Sequence, residues 1–135
     1  MTREIKFRGK DLESDKWLYG NLVCYEDEGE ELTCIVSTSR NEVDACLEFT
    51  PVDKASVGQF TGMLDRNGNE VYEGDILNAY SCVWDRTKDV VVVYDEKHGY
   101  YKYAIVGEDG KFMYYIKNDN VVNFVVIGNI HDNKQ

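Results

Sequence analysis

Residues 58–76 read GQFTGMLDRNGNEVYEGDI, and this stretch carries the turn signals that decide the fold. Residues 60–64 and 70–72 are short runs rich in strand-forming side chains, and Asn67-Gly68 lies between them. Asn-Gly is a strong hairpin signal because both central residues of a type I′ turn need positive φ. We therefore expect either that residues 60–64 pair with 70–72, or that Asn67-Gly68 forms a tight loop between them.

The same stretch contains the residues that we assign to a structural turn motif. Glycine adopts positive φ at no steric cost, and Asn and Asp side chains bind the backbone of tight turns. Asp75 is expected to accept backbone N–H bonds in the turn that Gly74 permits. The motif comprises Gly58, Gln59, Gly62, Asn67, Gly68, Glu73, Gly74 and Asp75.

Glu73 and Asp75 also allow a catalytic interpretation. Residues i and i+2 of an extended chain point to the same side, and two carboxylates there are able to bind a divalent cation or divide acid and base roles. A metal-dependent hydrolase using Glu73, Asp75 and His98 is therefore our third functional hypothesis. The lack of a third ligand nearby in sequence favours the turn interpretation.

The rest of the chain reads as short strands separated by turns at intervals of about ten residues. Helical periodicity is not sustained anywhere, so we predict an all-β fold with at most one or two short helices. Residues 40–50 are ambiguous: a short helix capped by Asn41 and a strand over 46–50 both fit. The predicted strands cover residues 17–25, 32–36, 76–84, 90–94, 100–106, 111–116 and 121–127, with another near Ile5 and Phe7.

A chain of 135 residues has the size of a single domain. We expect one domain over residues 1–135, with a seam at residues 51–56, where the only proline, Pro51, opens a connector. Residues 1–55 would form an N-terminal lobe of strands. Residues 56–131 would form a small SH3-like barrel, because closure removes exposed strand edges.

Twenty-five acidic and fifteen basic residues give a formal net charge of −10. Nucleic-acid binders usually carry a basic footprint, so this charge argues against nucleic acid as the partner. The acidic residues concentrate at 26–31, a predicted hairpin tip, where they are either solvated or imitate nucleic acid toward a basic host protein. The basic residues of the N-terminal segment alternate, and we interpret them as facing water from an edge strand; they are Arg3, Lys6, Arg8 and Lys10.

Several kinds of site have no signature in the sequence. It contains no phosphate-binding loop, no nucleophile elbow and no C-x-x-C pair, so we expect neither a cofactor nor a metal. The segment following Met1 is charged from Arg3 onward, and no apolar run approaches the roughly 18 residues of a membrane span. We therefore expect neither a signal peptide nor a membrane association.

The tyrosines suggest a different kind of site. Five of the ten crowd one predicted hairpin around Glu108-Asp109-Gly110. Because side chains alternate along a strand, Tyr101 and Tyr103 lie on the face opposite to that of Tyr100. One face should therefore join the core while the other exposes its rings. Exposed aromatic rings are typical of protein interfaces, although cross-strand pairs also simply stabilise a sheet. The candidate partner-binding residues are Tyr100, Tyr101, Tyr103, Tyr114 and Tyr115.

Three stretches of the chain together resemble the YopX family of phage and prophage proteins. They are residues 3–10 with 17–20, residues 56–76, and residues 126–133. The resemblance implies a mainly β fold and a phage or prophage origin in a bacterial cytoplasm. It implies no enzyme activity and transfers no catalytic residue.

Our first functional hypothesis is therefore a non-enzymatic phage accessory protein that binds another protein or a second copy of itself. The second hypothesis is an acidic, nucleic-acid-mimicking inhibitor of a basic host protein.

Overall fold

The computed structural model describes residues 4–40, 45–81, 85–106, 112–116 and 121–132, with the side chains of 4–37, 48–80, 85–105 and 123–132. In chain order, the strands are β1 (Phe7–Lys10), β2 (Trp17–Asp27), β3 (Glu30–Arg40), β4 (Ala45–Pro51), β5 (Gly58–Leu64), β6 (Glu70–Tyr72), β7 (Asp75–Ser81), β8 (Arg86–Asp95), β9 (Tyr100–Val106), β10 (Phe112–Ile116) and β11 (Val121–Asn129).

The strands form two sheets, and the pairs whose register is defined are antiparallel. One sheet has the order β4-β3-β2-β1-β5-β6 and the other β10-β9-β8-β7-β11. The all-β prediction is confirmed, and so is the strand alternative for residues 46–50, which lie in β4. Among the described residues the only helical element is a 3-10 turn at Lys54–Ser56, and no helix there is long and apolar enough to cross a membrane.

The predicted small barrel is not formed by the described strands. Strands β10 and β11 lie at opposite ends of the second sheet, so this sheet is open. The SH3-like arrangement is not confirmed. The reason is that alternation in a sequence reports which face of a strand is buried and carries no information on whether the last strand returns to the first.

The chain divides into two compact units, Met1–Phe60 and Thr61–Gln135. The expectation of a single domain with a seam at 51–56 stays a prediction. In the N-terminal unit, Ile35 and Cys34 of β3 are fully buried. Gly20 of β2 allows a close strand approach, since an added Cβ would lie 2.3 Å from the Val36 carbonyl oxygen.

The interpretation of β1 as a solvent-facing edge strand is wrong. Strand β1 lies between β2 and β5, and the side chains of Arg8 and Lys10 are buried, with exposures of 5% and 6%. Both cations lie over the indole ring of Trp17, with the Arg8 Cζ 4.5 Å and the Lys10 Nζ 5.5 Å from the ring centroid. Lys10 also forms an ion pair with Asp15 at 3.6 Å. Both charges are therefore buried beside the Trp17 ring and do not face water as predicted.

In the C-terminal unit, β8 is the strand around which the core is built. Val90 and Val92 pack with Leu77 and Tyr103 on one face, and Val91 on the opposite face is buried as well. The continuous apolar run of residues 90–94 is typical of a strand that is covered on both sides; Val90, Val91 and Val92 are buried, whereas Tyr94 is 44% exposed.

The hairpin between β5 and β6 forms as predicted but not through a type I′ turn. Gly68 has φ +84°, whereas Asn67 lacks the positive φ that such a turn requires. The backbone closes instead through the Gly68 N–H, which donates to the Asp65 carbonyl at 3.0 Å. The pairing of β5 with β6 and a tight loop at Asn67-Gly68 are thus both present, and the Asp65 side chain binds the backbone of this loop, as described below.

Candidate functional site

The turn between β8 and β9, at the start of the tyrosine-rich strand β9, is closed by backbone and side-chain hydrogen bonds. Its backbone closes where the Gly99 N–H donates to the Asp95 carbonyl at 2.7 Å, with φ +74° at Gly99. The Asp95 Oδ1 accepts the backbone N–H groups of Lys97 and His98 at 3.0 and 3.2 Å. An aspartate that binds amides two and three residues later stabilises a tight turn.

The second carboxylate oxygen of Asp95 binds two basic side chains. The His98 Nδ1 lies 2.8 Å and the Lys102 Nζ 3.1 Å from Asp95 Oδ2. The hydrogen bond from the His98 ring lowers the pKa of Asp95 most; burial opposes the change, and Lys102 adds to the lowering, so this pKa lies well below its usual range. Asp95 is therefore ionised at neutral pH and binds backbone amides of the turn together with the His98 and Lys102 side chains.

Two tyrosine rings are exposed beside this turn. Tyr94 and Tyr100 keep 44% and 42% of their surface accessible. The Tyr94 ring makes an edge-to-face contact with Tyr101 at 5.1 Å between centroids, and the His98 ring lies 5.8 Å from Tyr100. We call Tyr94, His98 and Tyr100, which surround this turn, the hairpin-end surface; Tyr94 lies opposite Tyr101 on one face of the hairpin and Tyr100 opposite Asp95 on the other.

The structure divides the predicted tyrosines between core and surface. Tyr103 is 2% exposed, and burial raises the pKa of its hydroxyl to about 12. Tyr101 is partly buried against the same core cluster, so both lie on the core face, as alternation predicts. Tyr103 is thus removed from the candidate surface, while Tyr100 remains. The side chains of Tyr114 and Tyr115, in β10, lie outside the described residues.

The Glu73-Gly74-Asp75 turn has the structural geometry that the sequence predicts. The Asp75 Oδ2 accepts the Tyr72 N–H at 2.7 Å, and Gly74 has φ +92°. Burial and the negative charge of Glu96 raise the pKa of Glu73. Asp75 therefore binds the backbone of its own turn, as the turn interpretation requires.

The remaining residues of the turn motif also shape the backbone. Gly62 has positive φ, at +88°, and Gly58 and Gln59 pair with Arg8 and Phe7 of β1.

Near the other histidine, the Asn129 Oδ1 accepts the His131 N–H at 2.9 Å. Within the described part of the chain, no three His, Cys, Asp or Glu side chains lie together as a metal site requires.

The acidic segment at residues 26–31 forms the exposed tip of the β2–β3 hairpin, as predicted. Glu28 and Gly29 have φ +51° and +83°. Like charges are directly opposed here, with Glu26 opposite Glu31 and Asp27 opposite Glu30. Opposed like charges destabilise a hairpin, so this tip concentrates negative charge at a cost in stability.

Sequence reasoning missed the two aspartates that organise the loops of the C-terminal unit. Besides Asp95, the buried Asp65 Oδ1 accepts the N–H groups of Asn67 and Asn69 at 2.9 and 2.8 Å, and its Oδ2 accepts that of Val126 at 3.0 Å. Burial raises the pKa of Asp65, but these hydrogen bonds outweigh it and leave the pKa lowered. A sequence pattern could have predicted both residues: each aspartate stands three or four positions before a turn glycine, as in Asp65–Gly68 and Asp95–Gly99.

The fold and this site define an all-β protein of two open antiparallel sheets that carries an aromatic surface on one hairpin. The sequence pattern of the YopX protein family matches residues 6–135. The chain therefore belongs to the YopX family.

A search of the solved structures found a similar chain, described as the crystal structure of protein EF1440 from Enterococcus faecalis. It has a TM-score of 0.54 and 22% sequence identity over 98% of this chain and 96% of that chain. At this identity the likeness shows the fold alone. A search of curated proteins found no match to the chain.

Proposed function

We propose that this member of the YopX family is a non-enzymatic phage or prophage accessory protein that binds another protein through the hairpin-end surface. The observation that carries the proposal is the exposure of Tyr94 and Tyr100 beside a turn whose backbone and His98 ring are hydrogen-bonded to Asp95. Tyrosine is enriched among the residues that dominate binding energy at interfaces. A turn that is ordered before binding loses little conformational entropy, which favours affinity.

The chemistry of the described carboxylates supports a binding role over catalysis. Asp75 binds a backbone amide of its own turn, and Asp95 binds amides together with the His98 ring. These contacts stabilise backbone structure. The family resemblance supports a phage or prophage origin and action in a bacterial cytoplasm.

The proposal is tested with the double variant Tyr94→Ser/Tyr100→Ser. Tagged protein is purified from lysogenic cells, the co-purifying proteins are identified, and sedimentation velocity measures self-association. We expect the variant to bind its partner, or a second copy of itself, at least about thirtyfold more weakly than the wild type, since a single central interface tyrosine carries about 2 kcal/mol.

The matched control is Tyr19→Ser/Tyr25→Ser, which removes two exposed tyrosines from the N-terminal unit. It should retain the partner recovered with the wild type. Equal retention by both double variants, with thermal unfolding showing that both are folded, refutes the proposal. A wild-type protein that is monomeric and recovers no partner refutes it as well.

The opposed carboxylates of the β2–β3 tip favour a second candidate function, an inhibitor that imitates nucleic acid. The tip carries Glu26, Asp27, Glu28, Glu30 and Glu31, all exposed. Such a surface attracts a basic partner through long-range electrostatics, and the attraction weakens as salt increases.

This second candidate is tested by competition. Purified protein is added to complexes of duplex DNA with a basic DNA-binding protein of the host, at low and at high sodium chloride. Displacement of DNA that disappears at high salt, and in a variant with the five acidic residues changed to Gln or Asn, supports the function. Displacement that ignores salt, or that survives neutralisation of the tip, rules it out.

A further inference from the structure

The outer edge of strand β11 is a surface that the proposed function does not use. Among the described strands, β11 ends the order of the five-stranded sheet and pairs with β7 on its inner side. Its nine residues, VVNFVVIGN, include no charged side chain and no proline. Natural edge strands usually carry such residues, because their outward N–H and C=O groups otherwise accept a strand from another molecule.

The loop of residues 65–69 covers this edge. The Val126 N–H donates to the Asp65 Oδ2 at 3.0 Å, and the Arg66 N–H donates to the Phe124 carbonyl at 3.1 Å. An N–H group has a single hydrogen, so the amide of Val126 is committed to Asp65. The carboxylate and the Arg66 amide therefore take the places that the acceptor and donor of a neighbouring strand would occupy.

Burial and several hydrogen bonds hold Asp65 in this loop. Asp65 is only 6% exposed. Besides its bond to β11, it accepts the backbone N–H groups of Asn67 and Asn69, and the Asn69 Nδ2 donates to Oδ2 at 3.3 Å. Displacing a buried carboxylate with this many donors leaves several polar groups unsatisfied, which is costly.

We infer that the loop of residues 65–69 is an edge cap that prevents β11 from pairing with the β11 strand of a second copy of the chain. A second copy is the matching occupant because an uncharged strand meets no repulsion from its own image, and identical edges pair antiparallel about a two-fold axis. With Val125 on that axis, the Val126 N–H of one copy binds the Phe124 carbonyl of the other. The cap holds both of these groups in the native fold.

The test is the variant Asp65→Asn in the full chain, studied by sedimentation velocity over a range of concentrations. The amide keeps the size of the carboxylate but offers one acceptor oxygen, so either the turn amides or the Val126 N–H lose their partner. We expect self-association on the order of tenfold tighter than in the wild type, since the freed edge groups gain intermolecular hydrogen bonds. Adding Asn123→Lys, which places a charge on exposed β11, should abolish the gain.

The matched control is Asp53→Asn, which neutralises a turn aspartate of the N-terminal unit whose Oδ1 accepts the Ala55 N–H at 3.1 Å. It should associate as the wild type does. If Asp65→Asn does not fold, Arg66→Pro serves instead: it removes the N–H bound to Phe124, and proline suits the second position of a turn.

The inference fails if a folded Asp65→Asn, or a folded Arg66→Pro, associates no more than the wild type. It also fails if Asn123→Lys does not reverse the effect. Repeating Asp65→Asn in the Tyr94→Ser/Tyr100→Ser background separates this edge from the hairpin-end surface, because pairing through β11 persists there.

Discussion

Gly20 shows how a single residue decides whether two strands approach closely. Its position in β2 faces the backbone of β3, where an added Cβ would lie 2.3 Å from the Val36 carbonyl oxygen. That atom belongs to a paired strand and has little freedom to move. We expect Gly20→Ala to lower the free energy of unfolding by about 1–3 kcal/mol, measured by urea denaturation.

Gly128→Ala is the matched control, since an added Cβ there meets nothing within 4 Å. Its effect should stay within about 0.5 kcal/mol. Equal effects of the two substitutions would show that the propensity of alanine, rather than the contact with Val36, sets the cost.

The β8–β9 hairpin is the element whose stability should depend most clearly on acid. The folded-state pKa of Asp95 is lowered by the His98 ring and by Lys102, against the effect of burial. A carboxyl group with a lowered folded pKa contributes stability above its ordinary pKa of 3.8 and loses it as the pH falls through the folded value. We expect the wild type to exceed Asp95→Asn in unfolding free energy at pH 7, and the difference to shrink below 3.8.

Glu13→Gln, which neutralises an exposed carboxyl in the N-terminal unit, controls for the general loss of negative charge. The measurement is urea unfolding of the three proteins across this range of pH. A difference between wild type and Asp95→Asn that is constant with pH would contradict the assigned role of the carboxylate.

At the scale of the whole molecule, the net charge governs association. The charge of −10 at pH 7 falls to zero near the sequence pI of 4.6. Proteins associate most readily where their net charge vanishes. We expect light scattering of the wild type to reach a maximum near this pH and to fall on either side. A scattering intensity that rises steadily from pH 7 through 4.6 and beyond would instead indicate acid unfolding.

Local features of the molecule followed from the sequence because their partners are close along the chain. The Asp75 carboxylate binds an amide only three residues away, so the turn at Gly74 was predictable from its composition. Alternation likewise separated Tyr103 from Tyr100 without knowledge of the partner strands.

The errors concern contacts between distant segments. Arg8 and Lys10 looked solvent-facing because no local pattern reveals that β1 lies between two other strands, with Trp17 beneath the charges. The hairpin-end surface required the pairing of β8 with β9, which brings Tyr94 opposite Tyr101.

The sequence by itself determined the strands, most of the turns and the charge, since these depend on neighbours within a few residues. Only the tertiary structure decided that the second sheet stays open and that Asp65 caps an edge 61 residues away. The physical reason is that hydrogen bonds between strands are made by backbone groups common to every residue, so side-chain patterns do not specify which edges meet.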